Sequence, residues 1–447
     1  MSREYDAIVI GAGPAGCVAA LILARAGMRV AIIEKSRFPR FQIGESFLPA
    51  SYDFLESLGL TEALKKIEQV PKYGAEFGIA GDEMGTFFEF ATAFGDANPR
   101  TLNIRRAVFD KFLLDEAVNA GAQVIWDQVR SVLKLEDGHV SLQLAERKSP
   151  IEASCVFDAS GQATVIGRHL KWRKRLDEAH LQNIAYFSHF HSVKRYEADR
   201  EGFPTVAMAK EGWFWVIPID DISTSVGLVL NADAAKQVDL PADQMLQWGI
   251  ERTPLVYERM KDAVPSDDAQ HYTRADYSYR CAPYAGPGFY MIGDAAAFLD
   301  PVFSSGVHLG MVWAQSAAQS FLKSQNGESP VKLRTQYAKH VTRTSGWFFR
   351  IIKLFYQHSF RELFLHGKGP LSVERAVMYV LSGRVHPEPA FPIRWRFRMF
   401  ELFVWINNFL PIVPRREVFS LFDAQPIVQS EKQASPGSPP MAQTTAS

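Results

Sequence analysis

Gly11, Gly13 and Gly16 are followed by an acid, Glu34, 18 residues after the last of them. In that order the first glycine permits a tight turn. The second lets backbone approach a pyrophosphate, and the third lets a helix pack close to a strand. An acid about 20 residues further on is placed to accept a hydrogen bond from a ribose hydroxyl. Glutamate there, rather than a basic residue, argues for a ribose without a 2′-phosphate. Pro14, Ala15 and Lys35 complete the stretch expected to surround a dinucleotide. FAD and NAD both satisfy this much.

The elements that must hold these residues lie on either side of them. Ala7 to Ile10 is a short apolar run, as a parallel strand buried on both faces requires. Ala15 to Ala26 is rich in Ala and Leu and predicts a helix that stops at Gly27. Such a helix points free N–H groups and its positive dipole end at an anion. Arg29 to Ile33 predicts the next strand. Two later stretches repeat the strand-then-glycine pattern. Ser154 to Asp158 runs into Ala159-Ser160-Gly161, and Tyr290 to Ile292 runs into Gly293-Asp294. Between them, roughly residues 181–275 carry several strand patterns and predict a β-rich layer. Asp137-Gly138 predicts a hairpin. Residues 331–424 read as helical and unusually aromatic, and 425–447, rich in Pro, Ser, Gln and Ala, as a disordered tail.

Composition narrows the function. Among 447 residues, 49 Lys and Arg balance 49 Asp and Glu, which speaks against a chain-wide nucleic-acid footprint. Cys17, Cys155 and Cys281 lack metal-ligand spacing, and Cys17 reads as a core residue of the first helix. No signal-peptide pattern and no apolar run long enough to span a bilayer is seen, so a cytoplasmic protein is expected.

Further segments carry a resemblance. They are Pro71-Lys72-Tyr73-Gly74-Ala75-Glu76-Phe77, the unbroken Trp213-Phe214-Trp215-Val216-Ile217-Pro218, and Gly293-Asp294-Ala295-Ala296 through Asp300-Pro301-Val302-Phe303-Ser304-Ser305-Gly306-Val307. Phe355-Tyr356 and Leu381-Ser382-Gly383 add to them. With the glycine turn, they make residues 5–385 resemble the flavin-dependent halogenases, in particular the phenol- and pyrrole-acting branch, within the fold of the p-hydroxybenzoate hydroxylases. The resemblance implies an α/β fold. A Rossmann-like FAD-binding domain would take residues 1–180 and 276–330. An inserted antiparallel sheet (181–275) would form the substrate layer, with a helical C-terminal region (331–424) following it.

The resemblance also implies roles. Lys72 would be the catalytic residue, at the far mouth of a sealed passage from the flavin. Ser305 and Gly306 would hold chloride or bromide, with Gly306 also near the cofactor. Gly293, Asp294, Arg106 and Ser46 would join the glycine turn in binding FAD. Trp213, Trp215 and Phe303 would shape the substrate pocket. Tryptophan halogenases place a glutamate where this chain has Phe303, so a self-activating arene such as a phenol or pyrrole is expected, free or on an acyl carrier protein. No second glycine fingerprint for a nicotinamide is visible, which implies a separate reductase that supplies reduced FAD.

Plainer readings stand beside these. Lys72 could be a solvated surface lysine, and Arg106 likewise. Trp213 and Trp215 could simply fill a core. Ser46, Asp294 and Ser304 or Ser305 could cap the helices that follow them. His308 receives no role. Residues 395–414 could pack on the core, which is the favoured reading, or meet a membrane or a carrier. A flavin monooxygenase or a geranylgeranyl-reductase-like enzyme of the same fold is the alternative function.

Overall fold

In the computed structural model, residues 4–93, 99–176, 178, 181–267, 269–275, 278–367 and 370–427 are described. Ala7–Ile10 and Val30–Glu34 are buried throughout, and they lie at the middle of a six-stranded sheet. Its order is Ala285–Gly286, Phe289–Met291, Cys155–Asp158, Ala7–Ile10, Val30–Glu34, Gln123–Trp126. Every neighbouring pair is parallel except Ala285–Gly286 against Phe289–Met291. Parallel strands end on the same edge, so Gly11, Glu34, Ala159 and Gly293 gather there. The expected helix runs Pro14–Arg25, and Asp137-Gly138 forms the two-residue turn between Glu136 and its partner His139.

The second sheet is larger than residues 181–275 allow. It contains Asn183–His191, Ser223–Asn231, Gly212–Pro218 and Thr205–Met208, and is completed by Gly74–Ile79 and Thr86–Glu89 from the first part of the chain. The junction of Thr205–Met208 with Gly74–Ile79 is parallel, so the sheet is antiparallel everywhere but there. Alternation along Gly212–Pro218 sorts its side chains. Trp213 and Trp215 face the main core, whereas Phe214 and Val216 face a second cluster with Leu246 and Leu255. A separate two-stranded ladder pairs Val70–Lys72 with Thr101–Asn103.

Among the described residues, five C-terminal helices follow: Gly306–Gln325, Pro330–Phe355, His358–His366, Val373–Leu381 and Phe391–Asn407. The helical pattern ends at Asn407 rather than near 424, because Pro411 and Pro414 cannot continue it. The chain beyond runs irregularly, with Phe419 O accepting from Lys210 N at 2.8 Å. Phe391–Asn407 is divided: Ile393, Phe397, Phe400 and Val404 are buried, while Phe391, Trp395, Leu402 and Trp405 are exposed. Among the described residues, no helix is long and apolar enough to cross a membrane. The tail expected to be disordered lies outside the described residues beyond Ile427.

Candidate active site

The three glycines are required for different reasons. A Cβ on Gly11, whose φ is 98°, would sit 2.5 Å from Ala159 O, and one on Gly16 would sit 2.0 Å from Gly11 O. Protein packing alone therefore demands both. A Cβ on Gly13 would meet nothing closer than Arg40 Nη2 at 3.9 Å. The space beside Gly13 is open, at the N-terminus of a helix with no side-chain cap and with the buried Pro14 in its first turn. Ala15 packs against Gly293 and Gly310, which brings this helix close to Gly306–Gln325. An uncapped N-terminus beside an open cradle suits the pyrophosphate of FAD.

Glu34 ends its strand with a fixed carboxylate. Its Oε2 accepts from Ala12 N at 2.8 Å and its Oε1 from Ser36 N at 2.9 Å. Lys35, next to it, is exposed. Arg106 is buried, which excludes the surface reading. It grips Asp110 through Nε and Nη2 at 2.7 and 3.0 Å, and its Nη1 donates to Ile43 O at 2.6 Å. Arg40 reaches the same Asp110 at 3.3 Å.

Asp294 caps no helix. Gly293–Ala295 is a single 3-10 turn, and the Asp294 side chain has no hydrogen-bond partner among the described residues. It lines a small cavity of about 20 Å³ with Ser305, Gly306, Leu309 and Trp313. Burial pushes its carboxyl up to about 6, against the pull of the Arg106 guanidinium. An unpartnered carboxyl facing a cavity fits a hydroxyl-bearing cofactor. Ser305 is the N-cap of the 20-residue helix Gly306–Gln325, but its hydroxyl makes no capping bond. Ser304 precedes it at φ 54°, a left-handed conformation held by the turn Pro301–Phe303. His308 is buried and turned to the Gly383 backbone, and burial drives its pKa down to about 4, so the ring is neutral.

Lys72 is also buried, 3% exposed, which excludes the solvated reading. Its Nζ donates to Ser46 Oγ at 2.9 Å and Phe47 O at 3.0 Å, and lies 5.3 Å from the centre of the Phe90 ring. Burial lowers its pKa to about 7. Ser46 therefore does not cap the helix Pro49–Ser57, whose N-cap is Leu48. Its hydroxyl is engaged by the lysine instead.

Aromatic rings form a wall. Trp215 and Trp213 are 5.8 Å apart, Trp213 meets Phe355 edge-on at 6.4 Å, and Phe355 meets Phe303 at 5.5 Å. Phe303 reaches Phe77 at 6.3 Å, and Phe187 lies 5.6 Å from Trp215. Phe303 is thus buried among rings. Core packing is the direct contact that the two tryptophans make.

Other contacts were not legible in the sequence. Glu45 and His189 pair at 3.1 Å, both buried. Phe41 stacks on Tyr272 with centroids 3.8 Å apart. The buried Asn183 and Asp300 and the half-buried Tyr356 form a hydrogen-bonded cluster. Asp300 and Tyr356 do lie inside the matching segments, but Glu45, His189 and Asn183 lie outside them and carry no local signal.

Comparison with known proteins agrees with this geometry. Residues 4–345 match the family described as an FAD binding domain. A tryptophan 2-halogenase of Chondromyces crocatus is 32% identical over 367 residues, covering 79% of this chain and 68% of its own. A brominase of pyrrole-2-carbonyl groups on a peptidyl-carrier protein, from Pseudoalteromonas luteoviolacea, is 32% identical over 330 residues, covering 73% of this chain and 79% of its own. The solved structure of the flavin-dependent brominase Bmp2 superposes with a TM-score of 0.78 at 28% identity, covering 89% of this chain and 98% of that one. The parallel sheet, the open cradle at Gly13 and these likenesses together place the chain in the FAD-binding-domain family, and within it the protein belongs to the flavin-dependent halogenases.

Proposed function

We propose that this halogenase uses Lys72 to deliver an oxidised halogen to an electron-rich arene of phenol or pyrrole type. The observation that carries the reading is the burial of Lys72 with two acceptors and a pKa near 7. At neutral pH roughly half of such an amine is protonated. The ammonium form can donate a hydrogen bond to hypohalous acid, and the neutral form can take the halogen as a haloamine. In either case the arene gains a carbon–halogen bond and loses a proton, and the oxygen leaves as water.

Reduced FAD, with oxygen, supplies the oxidising equivalents that turn chloride or bromide into hypohalous acid. The chain supplies the positions. Gly11, Gly13, Gly16, Glu34, Arg106, Gly293 and Asp294 hold the dinucleotide. The N–H groups of Ser305 and Gly306 open a long helix beside the cavity and hold the halide there. The wall of Trp213, Trp215, Phe355 and Phe303 keeps the arene from the flavin, so that only the small oxidant travels from the halide to Lys72.

Phe303 supports the substrate class. Buried among rings, it offers no carboxylate to assist an unactivated indole, so the arene must activate itself. The Pseudoalteromonas relative acts on a pyrrole held by a carrier. Here too the arene is taken free or on such a carrier, and a separate flavin reductase supplies reduced FAD. The test is an assay with FAD, a flavin reductase, chloride or bromide, and a panel of phenols, pyrroles and indoles including tryptophan. Lys72→Ala is expected to consume oxygen without halogenated product. Full halogenation by that variant removes Lys72 from the mechanism, and tryptophan as the best substrate overturns the assignment of the arene.

A further inference from the structure

Asp300 is a buried carboxylate one turn ahead of Ser305 and Gly306. Its Oδ1 accepts from Val302 N at 3.1 Å. Its Oδ2 accepts from Asn183 Nδ2 at 2.8 Å and from the Tyr356 hydroxyl at 2.7 Å. Asn183 Nδ2 also donates to the Tyr356 oxygen at 2.8 Å, which closes the cluster. Burial pushes the carboxyl up, and these neutral donors oppose the shift. No cation donates to it among the described residues. Such a group is expensive to bury, and its place in the chain shows what it fixes.

The three residues come from three different elements. Asn183 begins the strand Asn183–His191 of the second sheet, and Tyr356 ends the helix Pro330–Phe355. Asp300 caps the turn Pro301–Phe303. That turn hands the chain to Ser304 in its left-handed conformation and then directly to Ser305 and Gly306. The direction of the first N–H groups of the long helix therefore depends on where Asp300 is held. Asp300 in turn is held by a sheet and a helix remote in sequence.

We propose that Asn183 and Tyr356 are positioning residues for the halide: through Asp300 they aim the Ser305 and Gly306 N–H groups. This inference rests on the halide site proposed above. The test is Tyr356→Phe in the full chain with FAD. It removes one hydroxyl and keeps the ring that packs beside Phe355. The KM for bromide and for chloride is expected to rise about tenfold, the effect of one hydrogen bond to a charged group. The KM for the arene and the affinity for FAD stay within about twofold of wild type. The excess oxygen consumption that appears as peroxide is suppressed again at saturating halide.

Tyr337→Phe is the comparison. Tyr337 lies on the same helix, and its buried hydroxyl donates to Met291 O at 2.5 Å, away from the loop. It is expected to lower stability comparably and leave the halide KM unchanged. An unchanged halide KM in Tyr356→Phe overturns the proposal, as does an equal rise in Tyr337→Phe. Should Tyr356→Phe fail to fold, Asp300→Asn keeps the side-chain shape and an acceptor toward Val302 N. A halide KM equal to wild type in that variant is equally fatal. Bromide titration followed in the absorption of bound FAD separates the two readings. Wild type that binds bromide yet forms no halogenated product counts against the Lys72 reading, whereas equal bromide affinity in wild type and Tyr356→Phe counts against the cluster.

Discussion

Lys72 Nζ donates to Ser46 Oγ across 2.9 Å and joins segments 26 residues apart. The bond orients an amine that has one other acceptor among the described residues, Phe47 O. Ser46→Ala is therefore expected to leave flavin oxidation intact and cut halogenation about tenfold, on the order of 1.4 kcal/mol. Product formed per oxygen consumed is the measurement. An unchanged ratio means that the serine does not orient the lysine.

Burying an amine has a consequence for stability. Lys72 titrates near 7 in the folded protein, whereas in an unfolded chain a lysine holds its proton to about 10.4. Between those values the unfolded state binds more protons, so wild-type stability rises with pH from about 7 toward 10. Below 7 the burden is fully present. Lys72→Met removes it, and the variant is expected to be more stable at pH 7 by on the order of 2–4 kcal/mol. Near pH 10 the gap should fall below about 1 kcal/mol. Guanidinium unfolding at the two pH values measures it. A gap that does not narrow assigns the effect to packing and not to charge.

Gly11 and Gly13 separate fold from ligand. Gly11→Ala places a Cβ 2.5 Å from Ala159 O at a φ of 98°, and is expected to destabilise the free protein by about 2 kcal/mol or more. Gly13→Ala meets only Arg40 Nη2 at 3.9 Å. Its stability should stay within about 0.5 kcal/mol of wild type. Its FAD affinity should still fall at least about tenfold, because the methyl group occupies the space left for pyrophosphate. Thermal unfolding of the free protein and a flavin-fluorescence titration check the pair. Wild-type FAD affinity in Gly13→Ala would remove the glycine turn from the cofactor site.

The sequence made the parallel sheet legible because its strands are short apolar runs joined by glycine turns, as around Ala7–Ile10 and Val30–Glu34. Alternation placed Trp213 and Trp215 on one face for the same local reason. Other features depend on long-range pairing. The second sheet takes in Gly74–Ile79 through a parallel contact with Thr205–Met208, about 130 residues away, and no local pattern announces that. Glu45 meets His189 across 144 residues, and Asp300 meets Asn183 across 117. The burial of Lys72 belongs to this second kind. A three-residue strand paired to Thr101–Asn103 has no periodicity to read, and only resemblance singled the residue out.

Asp294 gives the cofactor site its own pH signature. Its carboxyl titrates near 6 in the free protein, raised mainly by burial, while an unfolded chain gives about 3.9. Between those values the folded state binds more protons, so stability falls as pH rises from 4 to 6, and the cost of ionisation is complete above 6. Asp294→Asn is thus expected to stabilise the free protein at pH 7 and to have little effect at pH 4. Ligand binding should run the other way. A cofactor hydroxyl donates best to the ionised carboxylate, which lowers its pKa in the complex. FAD affinity should therefore rise with pH between 5 and 6, by up to about tenfold per unit, and level off above. Flavin-fluorescence titrations at pH 5, 6 and 7 on wild type and Asp294→Asn read the slope. A slope that survives in the asparagine variant, or is missing from wild type, means that the acceptor for the cofactor hydroxyl lies elsewhere.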